Sequence, residues 1–344
     1  MLGSKMKRFT VVSLLTLFAF TLLTAYLSPF AYMTATAFKD LHQFSRPDAP
    51  LWPAKEKTFT WEGKEYPLYH VPFEDGERIL ALVKKGREES LFVDPQNPDA
   101  GPIRWEGRWR TLDPVWEFSP RWENFPEAWK AINFPRLFRN TLVIATLGMI
   151  GTLLSSIAVA YGFARFRIPG KKILFMILIA TIMLPRQVTL IPTYAFFARI
   201  GWTGTWLPLI VPHFFANAYN VFLLRQYFLT IPRELDEAAM IDGASPLRIL
   251  ISVIIPLSVP AIVSVGIFHF IWAWNDYFEP YLYLATKPEL QPISVGIQQF
   301  NALYSNQPHM IQATALMGLL LPVLIFFLSQ RAFMRGVVIT GVEK

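Results

Sequence analysis

Residues 237–256 read EAAMIDGASPLRILISVIIP, and the first half of that stretch differs in kind from its flanks. It carries two acids, three alanines and a glycine between long apolar runs. Its local chemistry describes two helices with a break between them. Thr230 is placed to cap the first, with Pro232 in its first turn and Glu234, Asp236 and Glu237 where the helix dipole favours negative charge. Gly243 suits the residue that stops this helix, and Ser245-Pro246 starts a second one that runs into the next apolar segment. A helix of about ten residues is too short to persist alone in water, so something must hold it. Ala238 and Ala239 let another backbone approach closely, and Glu237 and Asp242 offer acceptors to a surrounding cleft. The same spacing also suits an ordinary solvated connector.

Outward from this stretch, charge is distributed unevenly. Only 17% of the 344 residues are charged, against roughly 25% in soluble globular proteins. Residues 37–139 hold 16 of the 32 Lys+Arg and 17 of the 25 Asp+Glu. The remainder is apolar with short basic clusters, which fit loops between membrane spans and not a nucleic-acid stripe. There is no cysteine, and the five histidines include no close pair in sequence, so neither thiolate chemistry nor a metal site is expected.

A span needs roughly 20 apolar residues. Six candidates follow: 9–32, 140–164, 173–191 (interrupted by Arg186 in LPRQ and leaving the bilayer near Pro185), 206–224, 250–272 and 311–329. Ala35-Thr36-Ala37 resembles a signal-peptidase site, but the apolar run before it is about twice a signal's length, so a retained helix is expected. With a cytoplasmic N-terminus the inside segments hold 13 Lys/Arg and the short outside loops only Arg186, Arg199 and Lys287. Both termini and the 230–246 loop are then cytoplasmic, with residues 37–139 outside.

Within the outside segment, TFTWEGKEYPLYHV reads as two strands about Gly63, RILALVKKGREESLFV as two more about Gly86, and PIRWEGRWRTL as another near Gly107. Trp61, Tyr66, Tyr69 and Trp105 are expected to form the core of a small β unit and not a sugar-stacking surface. Residues 119–139 read as an amphipathic segment at the membrane interface, rich in Trp and Phe.

Glu237-Ala238-Ala239, three residues, Gly243, nine residues and Val253-Ile254-Ile255-Pro256 together resemble the EAA signature of ABC-importer permeases. RNTLVIATLGMIGTLLSSIAVAYGFARF (139–166) is similar to the start of that family's core permease region, FIWAWNDYFEPYLYL (270–284) resembles a span end in its carbohydrate-uptake type 1 members, and SQRAFMRGVVITGVEK resembles the tail of the maltose-type, six-span permease. The resemblance covers 115–344 and the first span, and leaves 55–118 as a departure. It implies an all-α integral membrane protein of the prokaryotic cytoplasmic membrane, in the type I ABC-importer permease fold of six transmembrane helices with a small extracytoplasmic β-rich insertion. The expected organisation is 1–36 N-terminus and first helix, 37–118 insertion, 119–139 interfacial segment, 140–335 permease core with the 230–246 coupling loop, and 336–344 cytoplasmic tail.

By the same resemblance the chain pairs with a second permease subunit, two cytoplasmic ATPase subunits and an extracytoplasmic solute-binding protein. Glu237, Ala238, Ala239, Asp242, Gly243 and Pro256 belong to the helix that docks in the ATPase. No GxxxxGK[ST] occurs, so no cofactor is expected in this chain, ATP and magnesium being held by the ATPase. No nucleophile–base or metal constellation points to an enzyme. Trp272, Asn275 and Asp276 are candidates for the solute path; they equally suit a structural role at a helix end. The expected cargo is a sugar or oligosaccharide, with another solute carried by the same machinery as the alternative. An ion-coupled secondary transporter would place paired charges mid-membrane, where these spans have almost none. A membrane-anchored receptor would not need six spans.

Overall fold

The structure, a computed structural model, describes residues 2–73, 76–302 and 305–338, without the side chains of 2–8, 302, 305 and 331–338. Residues 339–344 of the expected tail lie outside the described residues. Along the chain, α1 (Leu2–Ala37) is followed by β1 (Ala54–Glu56), β2 (Thr58–Trp61), β3 (Lys64–Phe73), β4 (Gly76–Lys84), β5 (Glu89–Val93), β6 (Ile103–Glu106), β7 (Asp113–Pro114) and β8 (Trp116–Phe118). The helices α2 (Asn124–Ala131), α3 (Phe134–Arg165), α4 (Lys171–Ala180), α5 (Arg186–Arg199), α6 (Leu207–Ile210) and α7 (Ala218–Thr230) come next. Then follow α8 (Glu234–Ile241), α9 (Pro246–Ile249), α10 (Ile255–Leu257), α11 (Val259–Asn275), α12 (Phe278–Tyr283), α13 (Ile293–Gly296), the short β9 (Asn301–Ala302) and β10 (Ser305–Asn306), and α14 (Pro308–Val338). Contacts divide the chain into two units, Met1–Ala128 with Phe300–Leu316, and Trp129–Gln299 with Met317–Lys344.

In the first unit, strands β2-β3-β4-β5-β6 form an antiparallel meander, and β7 adds to β3 beyond the end of β2. The turn about Gly63 has positive φ at both Glu62 (48°) and Gly63 (76°), the twist that a two-residue hairpin requires. Alternation directs Tyr69, Val71, Leu80, Leu82 and Phe92 into one core, closed by Leu112. Trp105 packs edge-to-face on Phe92 at 6.0 Å and Trp61 lies 6.3 Å from Tyr66, so these rings pack on neighbours within the sheet. Asn124 Nδ2 donates to the carbonyls of Ala37 (2.8 Å) and Lys39 (2.9 Å), which ties the end of α1 to the start of α2.

The second unit is built on α3. Its buried residues recur every three or four positions, from Leu137, Thr141 and Ile144 to Thr152, Ser156, Ala160 and Ala164. The lower part of that stripe packs with Val221, Leu224 and Phe228 of α7, with Ile249 and Ile254, and with Val265 of α11. Among the described residues, four helices are long and apolar enough to cross a membrane: Phe9–Ala37, Phe134–Arg165, Leu207–Thr230 and Pro308–Gln330. Two bent pairs raise the number to six if each makes one span, Lys171–Met183 with Arg186–Arg199 at 95° and Pro246–Leu257 with Val259–Asn275 at 81°. The expected third and fifth spans are therefore broken helices. The first break falls at Leu184-Pro185, where the residue before a proline is driven out of helical geometry.

Candidate functional site

The EAA loop folds as the short helix α8, and its boundaries differ from the sequence expectation at the front. Thr230 is the last residue of α7, and its hydroxyl donates back to the Tyr227 carbonyl at 2.7 Å instead of capping α8. Ile231 and Pro232 form the turn, because Pro232 excludes helical geometry from the residue before it. The helix begins at Glu234 and has eight residues. Its end is as expected. Gly243 adopts φ 78°, with its N–H donating to Met240 O (3.0 Å) while the Ala244 N–H donates to Ala239 O (2.9 Å). These two bonds form the paired closure of a Schellman motif. Ser245 Oγ then accepts from the Arg248 N–H at 3.4 Å and Pro246 occupies the first turn of α9.

One face of α8 is held and the other is open. Asp236 is buried and Ala239 and Ala244 pack on the α3–α7 core, whereas Glu237, Ala238, Asp242 and Gly243 are exposed. Around them Leu235, Met240, Ile241 and Leu247 also project outward, Ile241 at 87% exposure. A helix this short, with carboxylates amid uncovered apolar side chains, has the composition of a docking surface.

The buried face was not legible as a site in the sequence. Arg165, at the end of α3, places Nε 2.7 Å from Asp236 Oδ2, with side chains only 6% and 8% exposed. The same guanidinium donates from Nη2 to Ile231 O at 3.0 Å. The Nε–Oδ2 approach is a close ion pair and not an aligned hydrogen bond, and Asp236 Oδ1 has no partner. Burial accordingly pushes the Asp236 carboxyl above its ordinary range, with Arg165 and Arg233 pulling it back. One turn earlier on α3, Tyr161 donates its hydroxyl to Pro246 O at 3.0 Å.

Pro256 lies elsewhere, exposed at an elbow and not on the open face of α8. The expectation that the second helix runs directly into the fifth span fails here. Pro256 has no N–H for the Ser252 carbonyl, and the preceding Leu250–Ile254 widens to a π-helical turn, with Ile255 N–H donating to Leu250 O. Pro260 removes the N–H that would reach back to residue 256. Ser258, between them at φ −104° and ψ 8°, turns the chain by the 81° already noted.

Of the three solute-path candidates, Asp276 lines a cavity of about 470 Å³. Asp276, Phe278, Glu279 and Tyr283 form one wall, and Arg186, Gln187, Thr189 and Thr193 of α5 the other. Trp272 lies beneath Arg186, whose guanidinium is 5.0 Å from the ring centre and also pairs with Glu279. Asn275 does not join them, since its amide donates to Ile271 O of its own helix at 2.7 Å. Arg186 and Glu279 were missed as partners, although the charge in LPRQ was the signal that would have found Arg186.

Residues 151–337 match the family described as "Binding-protein-dependent transport system inner membrane component". The osmoprotective compounds uptake permease protein GgtD of Synechocystis sp. is 32% identical over 224 residues, covering 64% of this chain and 74% of that one. The sn-glycerol-3-phosphate transport system permease protein UgpE of Pectobacterium atrosepticum is 34% identical over 232 residues, covering 64% and 80%. In fold, a chain of a bacterial ABC transporter that imports the acidic polysaccharide alginate superposes with a TM-score of 0.64 at 19% identity, over 95% of this chain and 97% of that one. With the match spanning more than half of the sequence, the chain belongs to the family of binding-protein-dependent transport system inner membrane components.

Proposed function

We propose that the chain is one permease subunit of an ATP-driven, binding-protein-dependent importer of a small polyhydroxylated solute, a sugar or a polyol derivative. The observation that carries this reading is α8: a short helix stopped by Gly243, docked on α3 by one face and presenting Glu237, Ala238 and Asp242 on the other. Such a helix receives the closure of a cytoplasmic ATPase pair and hands it to the membrane helices, a rocking form of alternating access. ATP and magnesium belong to the ATPase subunits. In this reading there are six spans with both termini cytoplasmic, the β-rich segment 37–118 is extracytoplasmic, and a second permease subunit completes the pathway. Pro256 serves the coupling loop indirectly, by shaping its exit.

The solute class rests on the cavity beside Trp272. Planar hydrogen-bonding groups (Arg186, Gln187, Asp276, Glu279) beside aromatic rings (Trp272, Phe278, Tyr283) are the chemistry that grips hydroxyls and ring faces. Relatives named for osmoprotective compounds and for sn-glycerol-3-phosphate favour a polyol-like cargo alongside a sugar. The test is uptake by the reconstituted complex, with its binding protein, of a panel of neutral sugars, polyols, their phosphates and peptides. Stimulated, ATP-dependent uptake of a polyhydroxylated solute that weakens in Arg186→Ala is expected. Uptake of peptides alone would reject the solute class, and uptake driven by an ion gradient without ATP would reject the importer itself.

A further inference from the structure

Resting on the reading of α8 as the coupling helix, we infer that its motion enters the membrane helices sideways, through the Arg165–Asp236 ion pair into α3, and not along its own chain into α11. Two independent observations carry this. The covalent route is interrupted, because between α8 and α11 the chain passes a glycine stop, a π-helical turn and the 81° elbow at Ser258, flanked by Pro256 and Pro260. A rod broken in this way bends before it pushes.

The lateral route is short and rigid. Tyr161 and Arg165 are four residues apart and so share one face of α3. From that face they hold the loop at its entry (Arg165 Nη2 to Ile231 O, 3.0 Å), in α8 itself (Arg165 Nε to Asp236 Oδ2, 2.7 Å) and at its exit (Tyr161 hydroxyl to Pro246 O, 3.0 Å). α3 is also the helix against which α7 and α11 pack, so a displacement received there reaches the rest of the unit through packed side chains. Arg165 and Asp236 are positioning residues: they act on transport by holding α8, and touch neither solute nor nucleotide. An ion pair suits this task better than apolar packing, because it fixes one register between the helices.

The chain has no cysteine, so a single pair can be introduced cleanly. The experiment uses the full complex in proteoliposomes, with partner subunits free of reactive thiols, and reads solute transported per ATP hydrolysed. In the double variant Arg165→Cys/Asp236→Cys, ATP hydrolysis stimulated by the binding protein persists, while the transport ratio falls about fivefold or more. A short bis-methanethiosulfonate linker across the two thiols restores it, and Tyr161→Phe lowers the ratio less. An unchanged ratio in the double variant, or an assembled, crosslinked complex that stays uncoupled, overturns the inference. If the double variant fails to assemble, Asp236→Asn decides, since it keeps the shape and removes the charge: coupling at the unmodified level there also overturns it. Glu237→Lys in parallel separates the two levels. Uptake surviving in Glu237→Lys rejects the coupling-helix reading, whereas uptake lost there but kept in the cysteine pair rejects only the route through α3.

Discussion

Gly243 carries the stop of α8 on its backbone: at φ 78° it is left-handed, and a Cβ built there meets nothing within 4 Å. An alanine would thus cost only the backbone strain, about 1–2 kcal/mol, while asparagine tolerates this conformation better. Uptake by Gly243→Asn should accordingly exceed that of Gly243→Ala; the reverse order would mean that a docked partner's space, and not the turn, selects glycine. Asp236 makes a second residue-scale test. Burial holds its folded-state carboxyl above the ordinary carboxylate range, with Arg165 and Arg233 pulling it back and Glu237 adding to the rise. A raised carboxyl favours the folded state most when protonated, so its contribution weakens as pH rises from the ordinary carboxylate range through the folded pKa. Asp236→Asn should therefore leave thermal stability at neutral pH unreduced while transport per ATP falls. In the unsubstituted complex the coupling ratio should drop on acidification at a pH above the ordinary carboxylate range. A loss of stability in Asp236→Asn equal to its loss of coupling would contradict this account. In the sequence Asp236 read as one of three acids at a helix start, since a partner 71 residues away leaves no local trace.

At the scale of elements, what local chemistry dictates was legible and what packing dictates was not. The Gly63 hairpin, the Gly243 stop and the Ser245-Pro246 start were readable because each is settled within a few residues. The elbow was not read, although Pro256, Ser258 and Pro260 spell it, because an apolar run of adequate length hides a bend. The start of α8 was misread for a related reason, Thr230 being equally suited to end one helix or cap the next. The β meander gives this scale its prediction. Phe92 is fully buried among Tyr69, Leu80 and Leu82, so Phe92→Ala should cost about 3–5 kcal/mol. Hydrogen exchange should show that loss in β3 to β6 and not in α3, α7 or α11; equal loss in those helices would contradict a separate β core.

For the whole molecule, the family follows from one specific loop in an apolar chain, and its match extends over residues 151–337. The segment carrying half of the cations lies outside that match and forms a sheet with its own core. The cavity proposed to take the solute was only half visible in the sequence, because Trp272 and Asp276 stand in one stretch while Arg186 arrives from a helix some 90 residues earlier. The central claim is that α8 delivers an ATPase's closure to this chain. Its most direct test is ATP-dependent, binding-protein-stimulated uptake in proteoliposomes holding the complex with Glu237→Lys, beside the unsubstituted complex. The account predicts that the variant assembles and loses uptake; an assembled Glu237→Lys complex that imports solute at the unsubstituted rate would contradict it.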